Sequence, residues 1–149
     1  MSLKKFISNG IIFKQPLHKD EITKLLKIVD RDIKEASHSC HEIDWQFAIA
    51  YNAALQLATV VLRGAGLRAS TKVGHHWATF TVLPDIFGDD CRAIADYFND
   101  CRTKRNTIEY SDSGAITQKE AEKLIHEVIA FKAKVLSWLA SGPLEKEKA

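Results

Sequence analysis

The chain has 149 residues, of which 46% are hydrophobic and 27% charged, so we expect one globular domain with a real core and exclude a disordered protein. A formal net charge of +2 does not by itself indicate nucleic-acid binding. The three cysteines are an odd number and predict no disulfide framework. Without a signal peptide or a run of about 20 apolar residues, we expect a cytoplasmic protein with buried thiols and no membrane partner.

The N-terminal residues 1–16 predict an extended arm. Asn9-Gly10 lies between two apolar pairs, which is a weak hairpin signal. A hairpin and an irregular strap over the core both fit this pattern.

Helical periodicity begins at Asp20, and apolar residues at helical spacing predict a first helix over about 20–37. Asp44 is the predicted N-cap of a second helix, WQFAIAYNAALQLATVVLRG, which Gly64 and Gly66 end. Because this segment is apolar on almost every face and uncharged from Trp45 to Leu62, we expect it to be the buried central helix.

The second half of the chain predicts three more helices. Residues 67–74 are a polar loop, and the short helix HHWATFTVL that follows should end near Pro84. Asp89 or Asp90 caps a fourth helix, whose last turn lies in CRTKRNTIEYSD. Thr117 and Glu120 form a capping box that begins a fifth helix. The predicted fold is therefore an all-α, up-and-down bundle of about five helices over residues 17–142, with a disordered tail at 143–149.

Candidate binding residues form two cationic groups, one after the central helix and one at the end of the fourth. They are Arg63, Arg68 and Lys72 beside His75 and His76, and Arg102, Lys104 and Arg105. If the two groups pack together, they would suit phosphate, which arginine binds through two parallel hydrogen bonds. The alternative is a set of solvated helix-end charges, with Arg105 paired to Glu109 on the surface.

Other candidates are weaker. The HSCH segment at 38–41 matches no standard metal-ligand spacing, and no phosphate-cradling glycine loop is present, so we expect no metal and no cofactor. The aromatic residues Trp45, Tyr51, Trp77 and Trp138 are predicted to be core or interface residues rather than a base-stacking platform.

The order of several segments resembles the HEPN superfamily, the "higher eukaryotes and prokaryotes nucleotide-binding" domain. These segments are AYNAALQLATVVLRGAGLR, then GHH, then RTKRNTIEY, and finally TQKEAEKLIHEVIAFKAKVLSWL. The resemblance implies a helical bundle that pairs as a homodimer. Some members are metal-independent ribonucleases, some are toxins paired with nucleotidyltransferase antitoxins, and others are binding or assembly modules.

The resemblance also implies site residues. An Arg, a polar residue and a His form the ribonuclease motif of many members, and here they correspond to Arg105, Asn106 and Tyr110. Tyrosine departs from the motif because its ordinary pKa, near ~10, makes it a poor base at neutral pH, where histidine at ~6.5 is competent. Arg105 and Tyr110 would share a cleft only if the helix ends or bends between them.

Three functions fit the sequence. The first is a homodimeric module that binds a nucleotide, RNA or a protein partner, within a toxin–antitoxin or defence system that includes a cognate nucleotidyltransferase. The second is a metal-independent ribonuclease that uses Arg105 and Asn106. The third is a structural bundle whose basic patch binds an acidic protein.

Overall fold

The computed structural model describes residues 2–38, 42–71, 74–110 and 116–142, with the backbone alone at 108–110. The helices are α1 (Leu3–Ser8), α2 (Glu21–Ala36), α3 (Ile43–Gly64), α4 (His75–Thr81), α5 (Leu83–Phe87), α6 (Arg92–Tyr110) and α7 (Gln118–Ala140). Two short strands, β1 (Ile12–Lys14) and β2 (Leu67–Ala69), and a 3-10 turn (Asp89–Cys91) complete the described elements.

The long helices alternate in direction. Glu21 at the start of α2 binds Arg63 at the end of α3, so α2 and α3 are antiparallel. Lys104 near the end of α6 binds Glu120 in the first turn of α7, so α6 and α7 are antiparallel as well. The predicted all-α, up-and-down bundle is confirmed.

Helix α3 is the centre of the bundle, and α2, α6 and α7 all pack against it. By length and composition α3 could cross a membrane, but 67% of its most apolar window is buried against the rest of the protein, as in the core helix of a soluble protein. Gly64, at its end, lies under Trp138 of α7, where an added Cβ would come within 2.9 Å of the indole ring. Gly66 then turns the chain with φ of 76°, a conformation that glycine favours.

The N-terminal segment differs from the predicted extended arm. It begins with the helix α1, capped by Ser2, and the hairpin suggested by Asn9-Gly10 does not form. Instead, β1 pairs antiparallel with β2, inside the segment predicted to be a polar loop. The reason is packing: Phe6 and Ile12 are fully buried in a second apolar cluster, which the end of α3 and helix α4 complete.

Most helix limits agree with the sequence, and three do not. Neither Asp89 nor Asp90 caps α6, because both lie in the 3-10 turn and α6 begins at Arg92. Asp44 is not the N-cap of α3, because the helix begins one residue earlier and Asp44 lies in its first turn. Pro84 does not end the helical segment, because it occupies the first turn of α5, where a missing N–H breaks no helical hydrogen bond. The capping box is confirmed, with the Thr117 hydroxyl accepting from the Glu120 N–H at 3.1 Å.

The predicted buried thiols are confirmed at Cys91 and Cys101. Cys40 and the tail predicted at 143–149 lie outside the described residues.

Arg63 at the end of α3 joins this helix to the start of α2 and to the segment before it. Its guanidinium is buried, with only 1% of the residue exposed. Its nitrogens donate to both carboxylate oxygens of Glu21, at 2.9 and 3.1 Å. They also donate to the backbone carbonyls of Gln15, Pro16 and Leu67, at 2.8–3.1 Å. All five N–H groups of this charge therefore have acceptors, which is the condition for burying it.

The carboxylate of Glu21 should make stability depend on acid pH. Hydrogen bonds from Arg63, with the charges of Arg63 and Arg68, hold the pKa of Glu21 at about 2, against the raising effect of burial. Because the folded-state pKa lies below the unfolded-state pKa, the stabilisation is complete above about pH 4.5 and is lost as the pH falls towards 2.

We therefore predict that Glu21→Gln lowers the free energy of unfolding by about 3 kcal/mol at pH 7, and by much less near pH 2.5. Urea unfolding at both pH values measures this difference. Glu122→Gln, on the exposed face of α7, is the matched control and should change stability by less than about 0.5 kcal/mol. A Glu21→Gln protein as stable as the wild type at pH 7 would contradict the prediction.

Candidate phosphate-binding site

Two arginines on one face of α6 form the centre of the candidate site. Arg102 and Arg105 are three positions apart, so they lie about one turn from each other on the helix. The guanidinium carbon of Arg105 lies 5.5 Å from the ring centroid of Tyr51 on α3, within the range of a cation–π contact. This contact orients the guanidinium against a rigid surface of the core.

Tyr51 connects Arg105 to helix α4. Its side chain is 1% exposed, and its hydroxyl lies 3.3 Å from Nδ1 of His76. The ring of His75 lies against that of His76, with centroids 4.3 Å apart. Because a buried phenol requires an acceptor for its proton, we assign the hydroxyl as donor to Nδ1, which leaves the proton of the neutral imidazole on Nε2.

The surroundings keep the imidazole of His76 and the phenol of Tyr51 neutral at pH 7. Burial, together with His75, Arg105 and Arg102, lowers the pKa of His76 to about 4. Burial raises the pKa of Tyr51, although Arg105 and Arg102 oppose the shift. The positive charge beside these two rings is therefore carried by the two guanidinium groups.

Arg102 has an unused donor. Its Nε atom is buried and has no hydrogen-bond partner among the described residues. One turn earlier on α6, the Oδ1 atom of Asn99 is also buried without a partner in that part of the chain, while its amide nitrogen donates to Thr81. A buried donor without an acceptor is costly, so this position favours a bound oxygen atom, from water or from a ligand.

The other predicted cationic residues are paired with carboxylates or lie outside the described residues. Arg68 donates to Glu21 at 2.7 Å and to the side chain of Gln15. Lys104 binds Glu120 at 2.6 Å on the α7 side of α6, which raises the pKa of Lys104. Lys72 lies outside the described residues. The structure thus brings Arg102 and Arg105 together with His75 and His76, and pairs Arg68 and Lys104 with carboxylates.

Helix α6 does not end or bend between the first and last residues of the family motif. It continues from Arg105 through Asn106, which is partly buried, to Tyr110. Positions five residues apart on a continuous helix lie about 140° from each other around its axis, so positions 105 and 110 lie on different faces of α6. The side chains of Glu109 and Tyr110 lie outside the described residues, and so does the suggested Arg105–Glu109 pair.

The sequence matches a known family over most of its length. The sequence model of the family described as SAV_6107-like HEPN matches residues 37–136, which run from just before α3 into α7. The chain belongs to the HEPN superfamily. No curated protein and no solved structure matches it. The match to this HEPN family includes the whole Tyr51, His76 and Arg105 arrangement, whereas α1, β1 and α2 lie outside it.

The sequence did not predict the role of Tyr51 in this HEPN domain. Tyr51 is in the core, as expected, but its ring also supports Arg105 and its hydroxyl contacts His76. These three residues are far apart in the sequence and on three helices, so no local spacing could have indicated their contact. The segment GHH contained the only local signal, because it places a titratable side chain at the start of α4.

The described residues contain no group of three or more side chains that could hold a metal ion. Cys40 and His41 of the HSCH segment are not among them. The described side chains of the candidate site carry guanidinium, imidazole and phenol groups.

We predict that Arg105→Gln raises the pKa of His76 from about 4 part of the way towards 6.5, because one nearby positive charge is removed while burial, the larger cause, remains. NMR titration of the imidazole signals measures the shift. Arg92→Gln removes the same charge from the other end of α6, where Arg92 pairs with Asp89, and should leave the pKa unchanged. A wild-type His76 that titrates near 6.5 would contradict the assignment.

Proposed function

We propose that this HEPN protein binds phosphate groups of RNA or a nucleotide at the Arg102–Arg105 face, as a binding module rather than a strong catalyst. The observation that carries the proposal is the position of Arg105 against the Tyr51 ring, one turn from Arg102 and its unused buried donor. Two guanidinium groups one turn apart on a helix suit the paired oxygens of a phosphate.

The proton-transfer groups favour binding over catalysis. A general base is most effective when its pKa is near the working pH, whereas the pKa of His76 is about 4. The raised pKa of Tyr51 keeps the phenol protonated. Tyr110 replaces the motif histidine, and its position lies on another face of α6.

We predict that the protein binds single-stranded RNA octamers in the presence of EDTA and that Arg105→Gln weakens this binding by about tenfold, the loss expected for one charge-assisted contact. The slope of log K against log salt concentration should fall by about 0.7, the value for one phosphate contact in single-stranded nucleic acid. Fluorescence anisotropy over a salt series measures both quantities.

Arg92→Gln is the matched control, since it removes the same charge from the same helix outside the site. If Arg92→Gln weakens binding as much as Arg105→Gln, the RNA is attracted by the overall positive charge and not by a specific site. That result would favour the third function, a structural bundle whose basic patch binds an acidic protein. If no octamer binds, the proposal is wrong.

The alternative function is a metal-independent ribonuclease that uses Arg105 and Asn106. The proximity of His76 to Arg105 and Arg102 favours it, because a bound phosphate would offset their charges and raise the pKa of the imidazole. RNA cleavage in EDTA that Arg105→Ala abolishes would replace the binding proposal with this one. An inert wild type that gains cleavage through Tyr110→His would count against it.

We also propose a homodimer, as the HEPN resemblance implies. Ile129 and Leu136 support this proposal, because they are 49% and 41% exposed and lie two turns apart on one face of α7. Light scattering should give the mass of two chains for the wild type and a lower mass for Ile129→Ser/Leu136→Ser. Lys119→Ser, at the exposed start of α7, is the control. A monomeric wild type would contradict the proposal.

For the cellular role, we propose a cytoplasmic toxin–antitoxin or defence system with a cognate nucleotidyltransferase. The HEPN resemblance supports it. Co-expression with a nucleotidyltransferase encoded beside this protein, followed by purification of a stable complex, is the direct test.

A further inference from the structure

A small cavity lies between α3 and α4, next to the Arg102–Arg105 face. Its volume is about 240 Å³, and its lining combines apolar and polar side chains. The polar lining residues are Gln56, Thr59, Arg63, Arg68, His75, His76 and Thr79. The cavity is smaller than the ~300–1,000 Å³ pockets that enclose drug-sized ligands, so it suits one ring system rather than a whole nucleotide.

The cavity continues from the proposed phosphate site through two contacts. Arg105 lies 5.5 Å from the ring of Tyr51, and the hydroxyl of Tyr51 lies 3.3 Å from His76, which lines the cavity. The centroids of the Tyr51 and His76 rings are 6.3 Å apart. A group joined to a phosphate on Arg105 would therefore meet this cavity next.

Glu21 balances part of the positive charge of the cavity, and most of the guanidinium N–H groups in its lining are already used, which argues against a second phosphate. Glu21 binds both arginines of the lining, with its pKa held at about 2, so it is ionised at pH 7. Every N–H group of Arg63 is already used, and two of the three nitrogens of Arg68 donate to Glu21 and Gln15. A neutral polar ring fits these surroundings better than an anion does.

The hydrogen-bonding character of the cavity is set by two threonines. The hydroxyl of Thr59 donates to the carbonyl of Leu55 at 2.8 Å, and that of Thr79 donates to the carbonyl of His75 at 2.7 Å. Because a hydroxyl has a single proton, each oxygen can then only accept a further hydrogen bond. The cavity therefore offers two acceptors, beside the amide of Gln56 and the flat imidazole rings of His75 and His76.

We propose that this cavity receives a nucleobase whose exocyclic amino group lies at C6 of a purine or C4 of a pyrimidine, adenine or cytosine, in preference to uracil. The inference rests on the proposed function, since the base belongs to the nucleotide whose phosphate Arg105 and Arg102 bind. The amino group donates to the threonine oxygens, and the base packs on an imidazole ring, as unstacked RNA bases pack on histidine and other aromatic side chains. Uracil presents a carbonyl oxygen where adenine and cytosine carry the amine.

Fluorescence anisotropy in EDTA tests this with labelled A8, C8 and U8 oligoribonucleotides. We expect A8 and C8 to bind about tenfold more tightly than U8, the discrimination of one good base contact. An octamer of unsubstituted purine ribonucleotide, which lacks only the amino group of A8, should bind as U8 does. This comparison of oligonucleotides uses the wild-type protein.

On the protein side, Thr59→Val/Thr79→Val replaces both hydroxyls with methyl groups of similar shape and should reduce the affinity for A8 to that for U8. Thr103→Val is the matched control, because its hydroxyl donates to the carbonyl of Asn99 on the exposed side of α6, away from the cavity.

Equal binding of A8, the unsubstituted purine octamer and U8, with loss of all three in Arg105→Gln, would overturn the cavity assignment and leave the proposed function standing. Absence of binding by every octamer would overturn both.

Discussion

The buried guanidinium of Arg63 is the constraint on which the rest of the structure depends. A charge that is 1% exposed is tolerated only when every donor has an acceptor. Here the acceptors come from α2, from the backbone of Gln15 and Pro16 before α2, and from β2. The end of α3 is thereby held against the start of α2 and against the N-terminal segment. Because Arg68 binds the same carboxylate, β2 is also held against the start of α2. Arg63 and Arg68 line the small cavity together with His75 and His76.

Helix α3 serves both the core and the candidate site. Its alanine, valine and leucine side chains fill the centre of the bundle, whereas Tyr51 combines full burial with a polar contact at its edge. A buried ring is an effective support for Arg105 because neighbouring side chains prevent it from moving. The same burial lowers the pKa of His76 and raises that of Tyr51. Core packing and the pKa shifts of these two side chains therefore have one physical cause.

Local sequence signals predicted the long helices well and the N-terminal segment poorly. The capping box at Thr117 and the glycines after α3 act through neighbouring backbone groups, so they are visible in the sequence. The pairing of β1 with β2 joins segments separated by the whole of α2 and α3, and the burial of Phe6 decides it. Asp44 and Pro84 show the limit of single-residue rules, since each is compatible with the first turn of a helix as well as with its boundary. The sequence likewise indicated the cationic residues but could not show that Glu21 would neutralise part of them.

The sequence by itself determined the all-α bundle, its central helix and the resemblance to the HEPN superfamily, because these depend on periodicity, capping and residue identity. Only the tertiary structure decided which charges act together. It placed Arg105 on Tyr51 and His76 beside that ring, while it paired Arg68 and Lys104 with carboxylates from other helices. The physical reason is that electrostatic interaction depends on distance and burial across the bundle, and neither is encoded in the spacing of residues along one helix.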